Sequence, residues 1–176
     1  MTDTITQADI TSLLITNTEK VFSVMLGMSV SARDSVQHPN IEGVDGNVVS
    51  LVGFVGEWVG TGSVCCSSEM ACQISSRMLM AEYAAVNEEV LDAVGEITNM
   101  IIGNFKDAAE QLLGPLGLST PTVIYGRNVR ARNLNGQLWT TVPFDCEGGL
   151  VEVKICLGPR LGANGSAKPG ILVAES

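Results

Sequence analysis

Between Asn87 and Leu113, apolar residues fall at Val90, Val94, Ile97, Ile101, Phe105, Ala108 and Leu112, in steps of four and three. At about 100° per residue these positions trace one stripe, which predicts a long amphipathic helix whose stripe faces a core. Glu89, Asp92, Glu96, Asn99, Gly103 and Lys106 then gather on the opposite, outward side. The same period runs from Asp9 to Met28 through Ile10, Leu13, Leu14, Asn17, Val21, Val24, Met25 and Met28, predicting a first amphipathic helix with Asp9 and Thr11 available as caps. A shorter helix capped by Ser67 or Ser68 carries Met70, Ile74, Met78 and Leu79 and is expected to end near Ala85.

Between the helices the pattern turns β-like. Ser29 to Val36 reads as a short strand, and Asn40 to Asn47 as a loop marked by Gly43 and Asp45-Gly46. Val48 to Trp58 and Thr61 to Ser67 are β-branched and aliphatic runs, separated by Gly60 and Gly62 and expected to pair as a hairpin. Pro115 after Gly114 stops the long helix. Thr122 to Arg132, entered through Pro121, then reads as a strand. An Asn135-Gly136 turn, a strand from Leu138 to Pro143, a Gly148-Gly149 turn and a strand from Leu150 to Leu157 follow. Helix, strands, two helices and strands together predict an α+β fold in which an antiparallel sheet packs against long helices in two related halves. No exact repeat is present, and the first helix lacks a Glu-x-x-Asn pair because Asn17 and Glu19 stand in the wrong relation.

A length of 176 residues, 45% of them hydrophobic, suits one domain over 1–157, with the Gly-, Pro-, Asn- and Ser-rich residues 158–176 read as a flexible tail. A net charge of -9 argues against a nucleic-acid partner, because phosphate backbones are bound by Lys and Arg clusters. Five cysteines, Cys65, Cys66, Cys72, Cys146 and Cys156, form no CxxC pair and accompany one histidine, His38, so zinc spacing is absent. Their odd number points to reduced thiols in a cytoplasmic protein, and the polar, acidic stretch Met1 to Asp9 does not read as a targeting signal. No apolar run approaches the ~20 residues of a membrane span.

The polar face of the long helix therefore carries the candidate chemistry. Glu96 and Asn99 stand three residues apart, which on a helix is one shared face. Such pairs are ordinarily solvated surface. Gly95, Asn99 and Gly103 are nevertheless poor choices for a helix kept only for stability, since Gly costs roughly 1 kcal/mol relative to Ala in a helix interior. Glycines beside the pair are read as clearing space for another protein's backbone.

Asp92, Glu96 and Asn99, followed by Pro121, resemble the motif of the CheC, CheX and FliY phosphatases of bacterial chemotaxis, and the chain looks most like CheX. In that motif an Asp or Ser, a Glu and an Asn are followed by a proline about one residue further on than Pro121 stands here. The likeness extends to Val21 to Leu26 at the end of the first helix and to the strand-rich block after the long one. The absence of a second motif from the first helix matches the single-site CheX type. The resemblance implies a CheC/CheX-like domain that hydrolyses the aspartyl phosphate of a CheY-like receiver, with Asn99 positioning the attacking water and Glu96 engaging the receiver's lysine. It also implies that Asp92, Gly95, Met100, Gly103 and Lys106 contact the receiver, that this chain holds no cofactor, that the receiver supplies Mg²⁺, and that the protein forms a homodimer. A receiver-binding adaptor without catalysis is the alternative, against which the retained Glu96 and Asn99 count.

Overall fold

The computed structural model describes residues 5–42, 47–132 and 136–161. Helix α1 spans Gln7–Val21 and continues as a π-helical turn over Phe22–Leu26. Strands β1 (Val30–Ala32), β2 (Val36–His38), β3 (Asn40–Glu42), β4 (Asn47–Gly56) and β5 (Trp58–Ser67) follow, then α2 (Ser68–Leu79) and α3 (Glu88–Leu113). The chain closes with β6 (Leu116–Leu118), β7 (Thr122–Gly126), β8 (Arg130–Arg132), β9 (Trp139–Cys146) and β10 (Gly149–Pro159).

The main sheet is antiparallel in the order β1-β9-β10-β5-β4-β6, with β2 also on β9 and β7 also on β4. That order reveals the two halves. Each half supplies a helix, a pair of short strands and a long hairpin, and the short strands pair with the other half's hairpin. Between β1 and β2 the register on β9 slips by one residue, and between β6 and β7 the register on β4 slips likewise. Strands β5 and β10 join the halves at the centre, and β3 pairs with β8 as a separate ribbon. In the helices, the buried Ile10, Leu14, Thr18, Phe22 and Leu26 correspond at constant offset to Ile97, Ile101, Phe105, Ala109 and Leu113. Gly27 and Gly114, both with positive φ, stand at the respective C-caps.

Burial is concentrated between the three helices and one sheet face. A smaller cluster of Val49, Cys65, Trp139 and Cys156 lies apart from it, with Val129 and Ala131 packed against it. Gly62 lies beneath α3, for a Cβ there would stand 2.7 Å from Ile102 Cδ1. Gly60 and Gly62 are thus interior positions of β5 and the hairpin turns at Gly56 and Glu57, which corrects the reading of these glycines as a separator.

Other expectations shift locally. The N-cap of α1 is Thr6, and Asp9 is its capping-box partner rather than the cap. Val24 and Met25, in the π turn, lie outside the buried stripe and are 71% and 47% exposed. Helix α2 stops at Leu79 instead of near Ala85, because Met80 adopts a left-handed conformation. The Thr122 to Arg132 strand is divided by a turn in which Asn128 has φ 53°, and its parts pair with β4 and β3 rather than with the following strand. Strand β3 occupies part of the expected Asn40 to Asn47 loop. The last strand reaches Pro159, two residues into the expected tail. Of the other expectations, Asp45-Gly46, Asn135 of the turn, and 162–176 of the tail lie outside the described residues.

Candidate functional site

Helix α3 begins where the Asn87 side chain accepts the Val90 N–H at 2.9 Å. The Ser75 hydroxyl of α2 reaches the Val90 carbonyl at 3.3 Å, so α2 holds the first turn. Val90, Val94, Ile97, Ile101 and Phe105 are buried as the period requires, but the stripe finishes on Ala109 and Leu113. Leu112, expected inside, is 37% exposed. Asp92 and Glu96 are exposed on the outer face, and Asn99 beside them is half-buried. Glu89 is also exposed and accepts a hydrogen bond from the Tyr83 hydroxyl, whose pKa that contact raises.

The surroundings of Asn99 come from the β6–β7 segment. Gly95, Asn99 and Gly103 form one row along α3, at spacings of four. A Cβ on Gly95 would meet Val123 Cγ2 at 3.2 Å and Pro121 Cβ at 3.6 Å, whereas one on Gly103 would meet Leu118 Cδ1 at 3.9 Å. Residues 119–121 therefore connect two contacts that bracket Asn99. They are tied to the sheet at Ser119, whose N–H donates to the Gly53 carbonyl at 2.9 Å and whose hydroxyl oxygen accepts the Gly53 N–H at 2.8 Å. Pro121 is thus brought against the turn that carries Glu96, despite its shortened spacing from the motif.

Three residues expected to meet a partner also make contacts within the chain. Gly95 is buried against its own chain, and its small size accommodates Val123 and Pro121. Met100 is half-buried and packs on the core. Lys106 is committed to Asp107 at 2.9 Å and Glu110 at 3.1 Å, and hydrogen bonds to these carboxylates raise its pKa. Glu110 also accepts the Leu116 N–H at 2.8 Å, and that backbone bond, ahead of Lys106, holds its carboxyl below the usual range. The pair fastens the corner from α3 into β6. Gly103, half-buried beside Leu118, contributes to the same packing. These contacts depend on which strand lies along α3, which the spacing of residues on the helix does not state.

Other chemistry finds little support. Burial pushes the pKa values of Cys65, Cys66, Cys72 and Cys146 upward, which disfavours thiolates. Among the described residues no group of three or more His, Cys, Asp or Glu could hold a metal ion, and no helix is long and apolar enough to cross a membrane. A groove of about 730 Å³ lies around α2, lined in part by Cys72, Ser76, Arg77 and Tyr83. A second of about 400 Å³ lies near Ile10 and Leu138, and neither includes Asp92, Glu96 or Asn99. The polar trio stands on the outer face of α3, outside these two grooves.

Comparison with known proteins bears on this face. A family model described as chemotaxis phosphatase CheX matches residues 48–145, more than half of the chain and all of α3. The CheY-P phosphatase CheX of Thermotoga maritima is 31% identical over 88 residues, 49% of this chain and 57% of that relative, so the chain spans little more than half the curated relative's length. The crystal structure of a chemotaxis protein CheX from Desulfovibrio desulfuricans superposes with a TM-score of 0.75 at 27% identity, covering 85% of this chain and 99% of the other. The CheX of a CheX-CheY-BeF3-Mg²⁺ complex from Borrelia burgdorferi shares the fold, with a TM-score of 0.70 at 22% identity over 85% of this chain and 97% of that one. Among the described residues, three α-helices with an antiparallel sheet make up the CheC/CheX-like fold, and the chain belongs to the chemotaxis phosphatase CheX family.

Proposed function

We propose that this protein hydrolyses the aspartyl phosphate of a CheY-like receiver domain, using the outer face of α3. The observation that carries the reading is the pairing of an exposed carboxylate, Glu96, with a half-buried carboxamide, Asn99, on one helix inside the family-matched region. An acyl phosphate is already reactive, so a helper protein need only place water in line with phosphorus. A carboxamide suits that task because it both donates to and accepts from one water. In this reading Asn99 orients the water and leaves hydrolysis to transfer the phosphoryl group to it, giving inorganic phosphate and the free receiver carboxylate. Glu96 accepts a charge-assisted hydrogen bond from the receiver's lysine and sets the register of docking. Asp92, one turn earlier, supports docking. Magnesium belongs to the receiver and is retained there.

The test is a screen of phosphorylated receivers from the host, following phosphate release with and without the protein. Acceleration by wild type and its loss in Asn99→Ala, with folding and receiver binding kept, is the expected result. Full activity in Asn99→Ala would overturn the role of that residue. Binding without acceleration by wild type would identify a receiver-binding adaptor instead. The same reading places the protein in the cytoplasm with its receiver and as a homodimer, for which light scattering should return twice the chain mass.

A further inference from the structure

We infer that Gly95 is a positioning residue for Asn99, acting through the β6–β7 connection. The inference rests on the phosphatase reading and concerns what holds the carboxamide in place. Gly95 and Gly103 lie four residues on either side of Asn99, on the row of α3 that faces Val123, Pro121 and Leu118. These contacts let residues 119–121 pass close beside the helix at the level of Asn99. The far side of the connection cannot retreat freely, because Ser119 is bonded in both directions to Gly53 and β7 is paired with β4 from Thr122 onward. Gly53 repeats the fit on the sheet side, where a Cβ would stand 3.3 Å from the Ser119 hydroxyl oxygen. The connection is thus seated between two glycines, and Asn99 lies half-buried on the same row of α3, one turn after Gly95.

A helix interior favours Ala over Gly, so a glycine retained only for packing tolerance would be improved by replacement. Here a methyl group would enter at 3.2 Å from Val123 Cγ2, tighter than ordinary van der Waals contact. The connection would have to move by a few tenths of an ångström, carrying Pro121 with it. Displacements of about 1 Å at a reacting centre cost on the order of a hundredfold in rate. A smaller shift in the wall beside Asn99 should therefore reduce turnover by about threefold to tenfold. The receiver concentration for half-maximal rate should stay near wild type, because Gly95 is buried within its own chain.

The experiment compares wild type, Gly95→Ala, Val123→Ala and the double variant Gly95→Ala/Val123→Ala in receiver dephosphorylation, recording kcat and KM separately. The double variant removes the Val123 methyl groups that the added Cβ would meet and should recover most of the lost kcat, whereas Val123→Ala alone should leave kcat close to wild type. Circular dichroism and urea unfolding verify that each variant is folded. Unchanged kcat in folded Gly95→Ala would overturn the inference, as would a defect confined to KM or one that Val123→Ala does not relieve. Should Gly95→Ala fail to fold, Ser119→Ala, which removes the hydroxyl oxygen that accepts the Gly53 N–H and loosens the same connection without adding volume beside α3, should lower kcat in its place, and unchanged kcat there would overturn the inference. Failure of the underlying function is distinguishable, because wild type itself would then accelerate no receiver.

Discussion

On the outer face of α3, exposure divides the roles of two neighbouring residues. Glu96 is exposed and free to extend toward a partner, whereas Asn99 is half-buried, with fewer orientations open to its amide. Replacing Glu96 by Ala should therefore weaken the receiver complex while leaving maximal turnover largely intact. A hydrogen bond to a charged group is worth about 1.5–3 kcal/mol, so KM is expected to rise by about tenfold or more. Stability should change by less than about 0.5 kcal/mol, as for ordinary surface positions. Titration of the phosphorylated receiver against Glu96→Ala, alongside urea unfolding, measures both. A large loss of stability would make Glu96 a structural residue. The Glu-x-x-Asn spacing alone made this face legible in sequence, because helical geometry fixes which residues share a side. It could not tell that Gly95 faces inward or that Lys106 is already paired, since both facts depend on strands distant in sequence.

Among the elements, α3 and β5 are fitted closely where Ile102 covers Gly62. An added Cβ at Gly62 would lie within 2.9 Å of three Ile102 carbons. Gly62→Ala should destabilise the protein by about 1–3 kcal/mol through overpacking, and combining it with Ile102→Ala should cost less than the two single changes together. Denaturant midpoints of the four proteins in this cycle would reveal the coupling, and strict additivity would refute it. At the start of the same helix, Asn87→Ala removes the acceptor for the Val90 N–H and should cost about 1 kcal/mol, read from the same unfolding curves. Helix α3 and the long hairpins were foreseeable because each carries its own period in consecutive residues. The short β6, β7 and β8 strands were harder to delimit: three to five residues display little pattern, and their pairing partners are set by the exchange between halves. The π turn escaped for a related reason, because Phe22 and Leu26 keep the four-residue spacing of the helix before them.

For the whole molecule, burial of thiols and pairing of surface charges give stability opposite dependences at the two ends of the pH range. Asp9 and Asp145 are held below the ordinary carboxylate range chiefly by side-chain hydrogen bonds from Thr6 and Arg33, and Glu110 by the Leu116 N–H. Their contribution is present above the unfolded carboxylate pKa and is lost as pH falls through the lowered folded values. The thiols of Cys65, Cys66, Cys72 and Cys146 are shifted upward by burial, so the fold favours their neutral form. That contribution is complete below an unfolded thiol pKa of about 8.5 and declines as pH rises from there toward the folded values. The Lys106 and Arg33 pairs resist alkali for longer, because their pKa values are raised from already higher ordinary values. The first alkaline loss should therefore come from the thiols, deepened by self-repulsion in a chain of net charge -9. Urea midpoints measured from about pH 6 to 10 in excess reductant should be level near neutrality and fall above about pH 8.5. Cys66→Ala should lower the neutral midpoint and flatten the alkaline decline, because Cys66 is deeply buried and its thiol is strongly shifted. Parallel alkaline declines in wild type and Cys66→Ala would assign the loss to overall charge and remove the buried thiol as its source.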